Sequence, residues 1–134
     1  MTTLLIAVAP VFIILFYVYF RDKYEKEPLG LLLKALIAGA LITIPIYFCE
    51  IGLTAFAQNR LDPSSQLLWS AFAVAGGTEE IFKFLGLYIL IWANRNFNER
   101  FDGIVYAVFI SLGFALVENI LYVVQGGADV GWVR

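Results

Sequence analysis

Four long apolar runs constrain the fold of this chain more than any other feature, because each is long enough to cross a lipid bilayer. The runs cover residues 4–20, 29–50, 67–93 and 103–124, and short polar segments separate them. A membrane helix needs about 17 or more predominantly apolar residues. Hydrophobic residues make up 61% of the 134 residues, against roughly 45–50% in average soluble domains. The sequence therefore predicts a single all-α domain, 1–134, a polytopic membrane bundle of about four transmembrane helices in the lipid bilayer.

The basic residues of the connecting segments predict the orientation of this bundle. Most of them fall in the first and third connections: Arg21, Lys23, Lys26, Arg95 and Arg100. The second connection offers only Arg60. Because lysine and arginine favour the cytoplasmic side, the N-terminus is expected outside a bacterial cytoplasmic membrane, in a multi-pass arrangement. The first run lacks a basic leader and a small-residue cleavage site, so we interpret it as a retained span and not as a signal peptide.

Composition excludes several classes of function. The formal net charge is −2 and no basic stripe is present, so a nucleic-acid partner is not expected. The chain has no histidine, which removes histidine general-base chemistry and the usual histidine ligands of zinc. Cys49 is the single cysteine, which excludes an intrachain disulfide.

The segment GGTEEIFKF places charged side chains inside the third apolar run. Glu79 and Lys83 are four residues apart and Glu80 and Lys83 three, so on a helix both glutamates can pair with the lysine. Counted at about 1.5 Å per residue, Glu80 and Glu118 of the fourth run lie at a similar depth, some 20 Å from the predicted inner boundary. Glu50 is predicted near the outer interface, away from this group.

These charges have two interpretations. A buried ion pair that locks helices together explains one glutamate and one lysine, but not the additional carboxylates. Charged residues inside membranes are rare and usually face a functional interior. Clustered carboxylates favour protonation of at least one member, which can yield a general base, or they can hold a metal ion that activates water. We therefore predict a functional site.

Three further residues are expected to support this site. Asp102 suits the N-cap of the fourth helix, where its carboxylate would accept hydrogen bonds from free amides. Phe114 lies one turn before Glu118 and is expected to pack in the helix interface. Asn119 follows Glu118 directly and adds a polar side chain beside it.

The same residues carry a resemblance to a known family. GGTEEIFKF resembles the EExxK motif of the PrsW-type intramembrane proteases. FDGIVYAVFISLGFALVEN resembles the second signature of that family, whose FxxxE motif falls here on Phe114 and Glu118. RDKYEKEPLGLLLKALIAG resembles the N-terminal region of the family. The match covers about residues 20–125 and also places the chain near the CAAX-prenyl-protease-like membrane peptidases.

The resemblance implies a polytopic protease that hydrolyses membrane-associated protein substrates, and family members implicated in signalling cut anti-sigma factors. It assigns Glu79, Glu80 and Lys83 to the first catalytic motif and Glu118 to the second. It also implies a divalent metal such as zinc, with Glu79, Glu80 and Glu118 as ligands, although members are described as metalloproteases or as glutamate-dependent peptidases. The family has later, histidine-bearing spans that this sequence lacks, so an incomplete protease domain is expected.

Two functions from other classes also fit intramembrane charges. A proton-coupled transporter or ion relay uses glutamate and lysine chains in membranes, but no inverted repeat is visible in this sequence. A non-catalytic membrane scaffold would use the polar interior to bind partners. Cleavage of a membrane substrate distinguishes the protease from both.

Overall fold

The computed structural model describes residues 2–23 and 26–126, and over these residues the chain is helical without a strand. The elements in chain order are α1 (Thr2–Arg21), α2 (Leu29–Arg60), α3 (Pro63–Leu68), a π-helix (Trp69–Thr78), α4 (Glu79–Ile91) and α5 (Arg100–Gly126). The prediction of an all-α membrane bundle is confirmed.

Three of the helices are individually long and apolar enough to cross a membrane, among the residues that the structure describes: Thr3–Arg21, Leu29–Arg60 and Arg100–Gln125. The third predicted span, 67–93, is built differently. Its helical backbone runs from Pro63 to Ile91 but changes type twice, with helical dihedral angles at the junction residues Trp69 and Thr78. Each of its pieces is therefore short, although the backbone continues from one piece to the next.

The π-helix contains Gly76 and Gly77, and Thr78 separates them from Glu79. A π-helix closes its turns over five residues instead of four. The side-chain hydroxyl of Thr78 donates to the Ala73 carbonyl oxygen, also five residues back, at 3.0 Å. A Cβ atom on Gly77 would stand 3.1 Å from the Phe72 carbonyl oxygen, again five residues back. Glycine fits this π-helical turn because the nearby carbonyl oxygen leaves little room for a side chain. The turn leads into Glu79.

α5 lies at the centre of the bundle and packs against α1, α2 and α4. The buried core contains Leu32 and Ala35 of α2 together with Val105, Tyr106 and Ile110 of α5. By contrast, large apolar side chains on α1 and α2 remain widely exposed. Such extensive apolar exposure suits a lipid environment, because soluble monomers rarely expose large contiguous apolar patches.

The crossing of α2 and α5 is close enough to bring backbone against backbone. A Cβ atom on Gly39 would collide with the backbone of Ile110, and one on Gly113 would collide with the backbone of Leu36. Small residues at such positions let membrane helices approach closely. This contact fixes α5, and with it Phe114 and Glu118, relative to α2.

Candidate functional site

Lys83 joins the two adjacent glutamates of α4. Its Nζ atom lies 3.0 Å from Oε2 of Glu79 and 2.9 Å from Oε1 of Glu80. Both pairings follow from the helical spacing and were predicted from it. The side chains differ in accessibility: Lys83 is 14% exposed, Glu79 21% and Glu80 73%. One lysine thus partners two carboxylates, and Glu80 is the accessible one.

Lys83 also contacts α5. Its ammonium lies 4.3 Å from the centroid of the Phe114 ring, and Phe114 is only 3% exposed. A cation over an aromatic face is attracted by the ring quadrupole, more strongly where water is excluded. Phe114 was expected to pack in the helix interface, and this electrostatic contact was not predicted, because sequence spacing does not show which residues of two different helices meet.

A groove opens beside Glu80 between α4 and α5. It encloses about 190 Å³ and is lined by Glu80, Lys83, Phe84, Leu87, Ala107 and Ser111. The small side chains of Ala107 and Ser111 leave this space, while Glu80 and Lys83 supply its charged end. The groove leaves space for water or another small polar molecule beside the exposed Glu80 carboxylate.

Glu118 lies one helical turn beyond Phe114 on α5 and is half-buried. It therefore belongs to the helix that Lys83 contacts through Phe114. Its assignment to a shared site with Glu79 and Glu80 remains a prediction.

Glu50 lies closer to Glu79 than its predicted separation from the site suggested. The second span was predicted to end at residue 50, which placed Glu50 at the outer interface. In the structure α2 continues for ten more residues to Arg60, so Glu50 lies inside the helix and is half-buried. It lies close enough to Glu79 for the two carboxylates to interact electrostatically. The sequence analysis did not predict this interaction, and the depth of Glu50 in the bilayer stays a prediction.

Asn119 and Asp102, the remaining predicted supporting residues, make contacts between elements. The Asn119 amide donates to the Ala7 carbonyl oxygen of α1 at 2.9 Å. Asp102 does not occupy the N-cap, because α5 begins two residues earlier at Arg100. Its carboxylate instead reaches back to accept the backbone amide of Glu99 at 2.7 Å, as the third residue of a capping box does. Lys83, Glu79, Glu80 and Phe114 together form the Lys83 cluster. Asp102 lies about 18 Å along the α5 axis from Phe114, so it is outside this cluster.

The described residues do not form a metal site by themselves. Over residues 2–23 and 26–126, no group of three or more acidic, histidine or cysteine side chains is arranged to hold a metal ion. Glu79 and Glu80 are both engaged with Lys83. The predicted ligand set of Glu79, Glu80 and Glu118 is thus not assembled around a common point, and a metal centre here would need additional ligands.

Comparisons with known proteins match the sequence of this chain to one family. The model of the PrsW family intramembrane metalloproteases matches residues 27–132. Protease PrsW of Geobacillus kaustophilus is 37% identical over 127 residues, which cover 95% of this chain and 54% of that protein. Protease PrsW of Clostridioides difficile is 38% identical over 119 residues, 89% of this chain and 49% of that protein.

Protease PrsW of Bacillus subtilis shows 32% identity over 127 residues, 95% of this chain and 56% of that protein. The chain therefore spans about half the length of the curated relatives that it matches. No solved structure matches the chain significantly.

Proposed function

The chain belongs to the PrsW family of intramembrane metalloproteases, and from this we propose that it supplies part of the active site of a membrane protease. The proposed substrates are membrane-associated proteins, with anti-sigma factors as the class that the family resemblance implies. The proposed location is the bacterial cytoplasmic membrane.

One observation carries this proposal. Lys83 bonds to both glutamates of the EExxK motif, and its ammonium lies against the Phe114 ring of the FxxxE motif. A single ammonium therefore connects the two motifs. An ion pair that only holds helices together needs one carboxylate. Here a second carboxylate, that of Glu80, stays accessible beside a groove. That surplus carboxylate is the group available for chemistry.

We assign different roles to the two glutamates because their accessibility differs. Glu80, at 73% exposure, can reach a water molecule in the groove and act as the general base. Glu79 is more enclosed and holds the Lys83 ammonium in place. The ammonium lies beside the base, where it can stabilise negative charge that develops on the attacked carbonyl oxygen.

Glu118 is proposed to position the attacking water from α5, with Phe114 fixing the approach of the two helices. A divalent metal, when bound, would supply Lewis-acid activation of the carbonyl or of water. The described residues do not form its ligand set, so none of the roles above depends on it.

The test is cleavage of a membrane-anchored reporter by the protein expressed from its complete gene and purified into liposomes. Glu80→Gln keeps the size of the side chain but cannot act as a base, so the rate is expected to fall roughly 100- to 10,000-fold. Glu118→Gln is expected to lower the rate strongly as well. A chelator, followed by return of metal, is applied in parallel to wild-type protein.

Glu99→Gln is the matched control, because this glutamate is exposed at the start of α5 and away from the Lys83 cluster. It should cleave at the wild-type rate. Near-wild-type cleavage by both Glu80→Gln and Glu118→Gln would refute the proposed roles. A transporter or a scaffold would leave the reporter intact in the wild-type protein too.

A further inference from the structure

A second group of polar side chains is buried at the opposite end of α5 from Glu118. It combines Asp22 and Glu27 of the connection between α1 and α2 with Asp102 and Tyr106 of α5. All four are at least nine-tenths buried, with exposures of 4%, 5%, 1% and 0%. Glu27 belongs to the segment YEKEP and Tyr106 to FDGIVY, so two segments singled out in the sequence meet here.

Hydrogen bonds tie the connection to the helix. The Tyr106 hydroxyl donates to Oε2 of Glu27. The Glu27 backbone amide donates to Oδ2 of Asp22 at 3.1 Å. The carboxyl group of Asp102 lies close enough to that of Glu27 for the two to interact electrostatically. Glu27 is therefore the member that joins both segments.

Among the residues that the structure describes, no cation is paired with the carboxyl groups of this cluster. None of its three carboxyl groups forms an ion pair with a lysine or arginine within the described ranges. Lys26, next to Glu27 in the chain, directs its ammonium to the Tyr19 ring, 5.1 Å from the centroid. An ionised carboxylate has no proton to donate, so two carboxyl groups can share a hydrogen bond only if one of them is protonated.

The environment of Glu27 favours that proton. Burial raises the pKa of Glu27, the Tyr106 hydrogen bond opposes this rise, and the nearby charges of Asp102 and Asp22 add to it. The net pKa of Glu27 lies above its ordinary value of 4.5. Because a raised pKa means that the folded state prefers the protonated form, this contribution to stability is full below pH 4.5 and is lost as pH rises through the raised value.

We propose that Glu27 and Asp102 share one proton, and that the protonated pair is a pH-sensitive latch that holds the first connection against the start of α5. Loss of the proton leaves two adjacent buried carboxylates that repel each other, and water must enter to solvate them. The connection then separates from α5. Asp22, Asp102 and Tyr106 are the titratable groups that face Glu27 from the two segments.

Hydrogen exchange tests the latch, because backbone amides of both segments are bonded within it. The Glu27 amide donates to Asp22, and the Asn98 and Glu99 amides donate to Asp102. Protein in liposomes is exchanged over a pH series, and each rate is divided by the intrinsic rate at that pH. Opening linked to loss of one proton should reduce protection by about tenfold for each pH unit above the midpoint.

Glu27→Gln retains an acceptor for Tyr106 and a donor to Asp102 but has no proton to lose. Its protection should not change over the pH range where the wild type opens. Tyr106→Phe removes the bond that favours ionised Glu27, so opening should move to higher pH. Glu99→Gln, whose side chain is exposed, should reproduce the wild-type profile.

Infrared spectroscopy tests the shared proton directly, even if Glu27→Gln proves too unstable to study. The wild-type protein should show a carboxylic-acid C=O band that disappears over the pH range in which protection falls. The same band should persist to higher pH in Tyr106→Phe. Wild-type protection that does not vary with pH, a fall in Glu27→Gln equal to that of the wild type, or the absence of a titrating carboxylic-acid band would each overturn the proposal.

Discussion

The Lys83 ammonium contacts three side chains that belong to two helices. Its two bonds to glutamate lie within α4, and its contact with Phe114 crosses to α5. Burial of a lysine in a membrane bundle is costly without partners. The aromatic face therefore adds to the compensation that the carboxylates supply, and it couples the position of α4 to that of α5.

A double-mutant cycle measures this coupling at the level of single residues. Lys83→Met removes the charge, Phe114→Leu removes the ring but leaves an apolar side chain, and the interaction free energy between them should be about 0.5–2 kcal/mol. The measurement is reversible unfolding in mixed micelles for the four proteins of the cycle. Phe12, exposed on α1, serves as the control partner, and Phe12→Leu should show no coupling with Lys83→Met. Zero coupling with Phe114→Leu would contradict a stabilising contact.

The residue contacts divide clearly into those that the sequence could predict and those that it could not. The pairs of Lys83 with Glu79 and Glu80 were predicted, because three- and four-residue spacing determines them within one helix. The contact of Glu27 with Tyr106 joins residues 79 positions apart. No local rule brings such residues together, so only the packing of α1, α2 and α5 shows it.

Among the elements, the crossing of α2 and α5 depends on two glycines. Gly39 and Gly113 each face the backbone of the opposite helix with no room for a Cβ atom. Gly52 also lies in α2, but nothing stands within 4 Å of its Cβ position. The same substitution at these positions therefore separates helix packing from intrinsic helix propensity.

Gly39→Ala and Gly113→Ala should each destabilise the fold by about 1–3 kcal/mol, because the helices must move apart to admit the methyl group. Gly52→Ala should be neutral or stabilising by up to about 1 kcal/mol, since alanine has the higher helix propensity. Unfolding in mixed micelles compares the three variants. If Gly39→Ala proves as stable as Gly52→Ala, the close crossing is not present in the protein.

The apolar pattern predicted where helices occur but not their type or their ends. Residues 67–93 are apolar enough for a span, and hydropathy does not distinguish an α-helix from a π-helix. The π-helix depends on backbone hydrogen bonds over five residues, and these leave no mark in an apolar pattern. The apolar pattern also did not give the end of α2, because the helix continues to Arg60, beyond the predicted span that ends at about residue 50.

At the scale of the whole molecule, α1 and α5 are antiparallel and joined near both ends. Asn119, late in α5, bonds to Ala7, early in α1. Glu27, which follows α1, bonds to Tyr106 near the start of α5. The first connection and the segment before α5 therefore lie at the same end of the bundle, and the connection between α2 and α3 lies at the other. Short connections between consecutive spans favour this alternation.

Which end faces the cytoplasm is a separate prediction, and it rests on the basic residues of the first and third connections. The test replaces exposed Cys49 by serine and then introduces one cysteine at a time, as Lys23→Cys, Ser64→Cys or Glu99→Cys. A membrane-impermeant thiol reagent on intact cells should label Ser64→Cys, and should label the other two only after permeabilisation. External labelling of both Lys23→Cys and Glu99→Cys would invert the orientation but keep the fold. Opposite behaviour of Lys23→Cys and Glu99→Cys would contradict the fold itself, because the bond between Glu27 and Tyr106 requires both segments on one side.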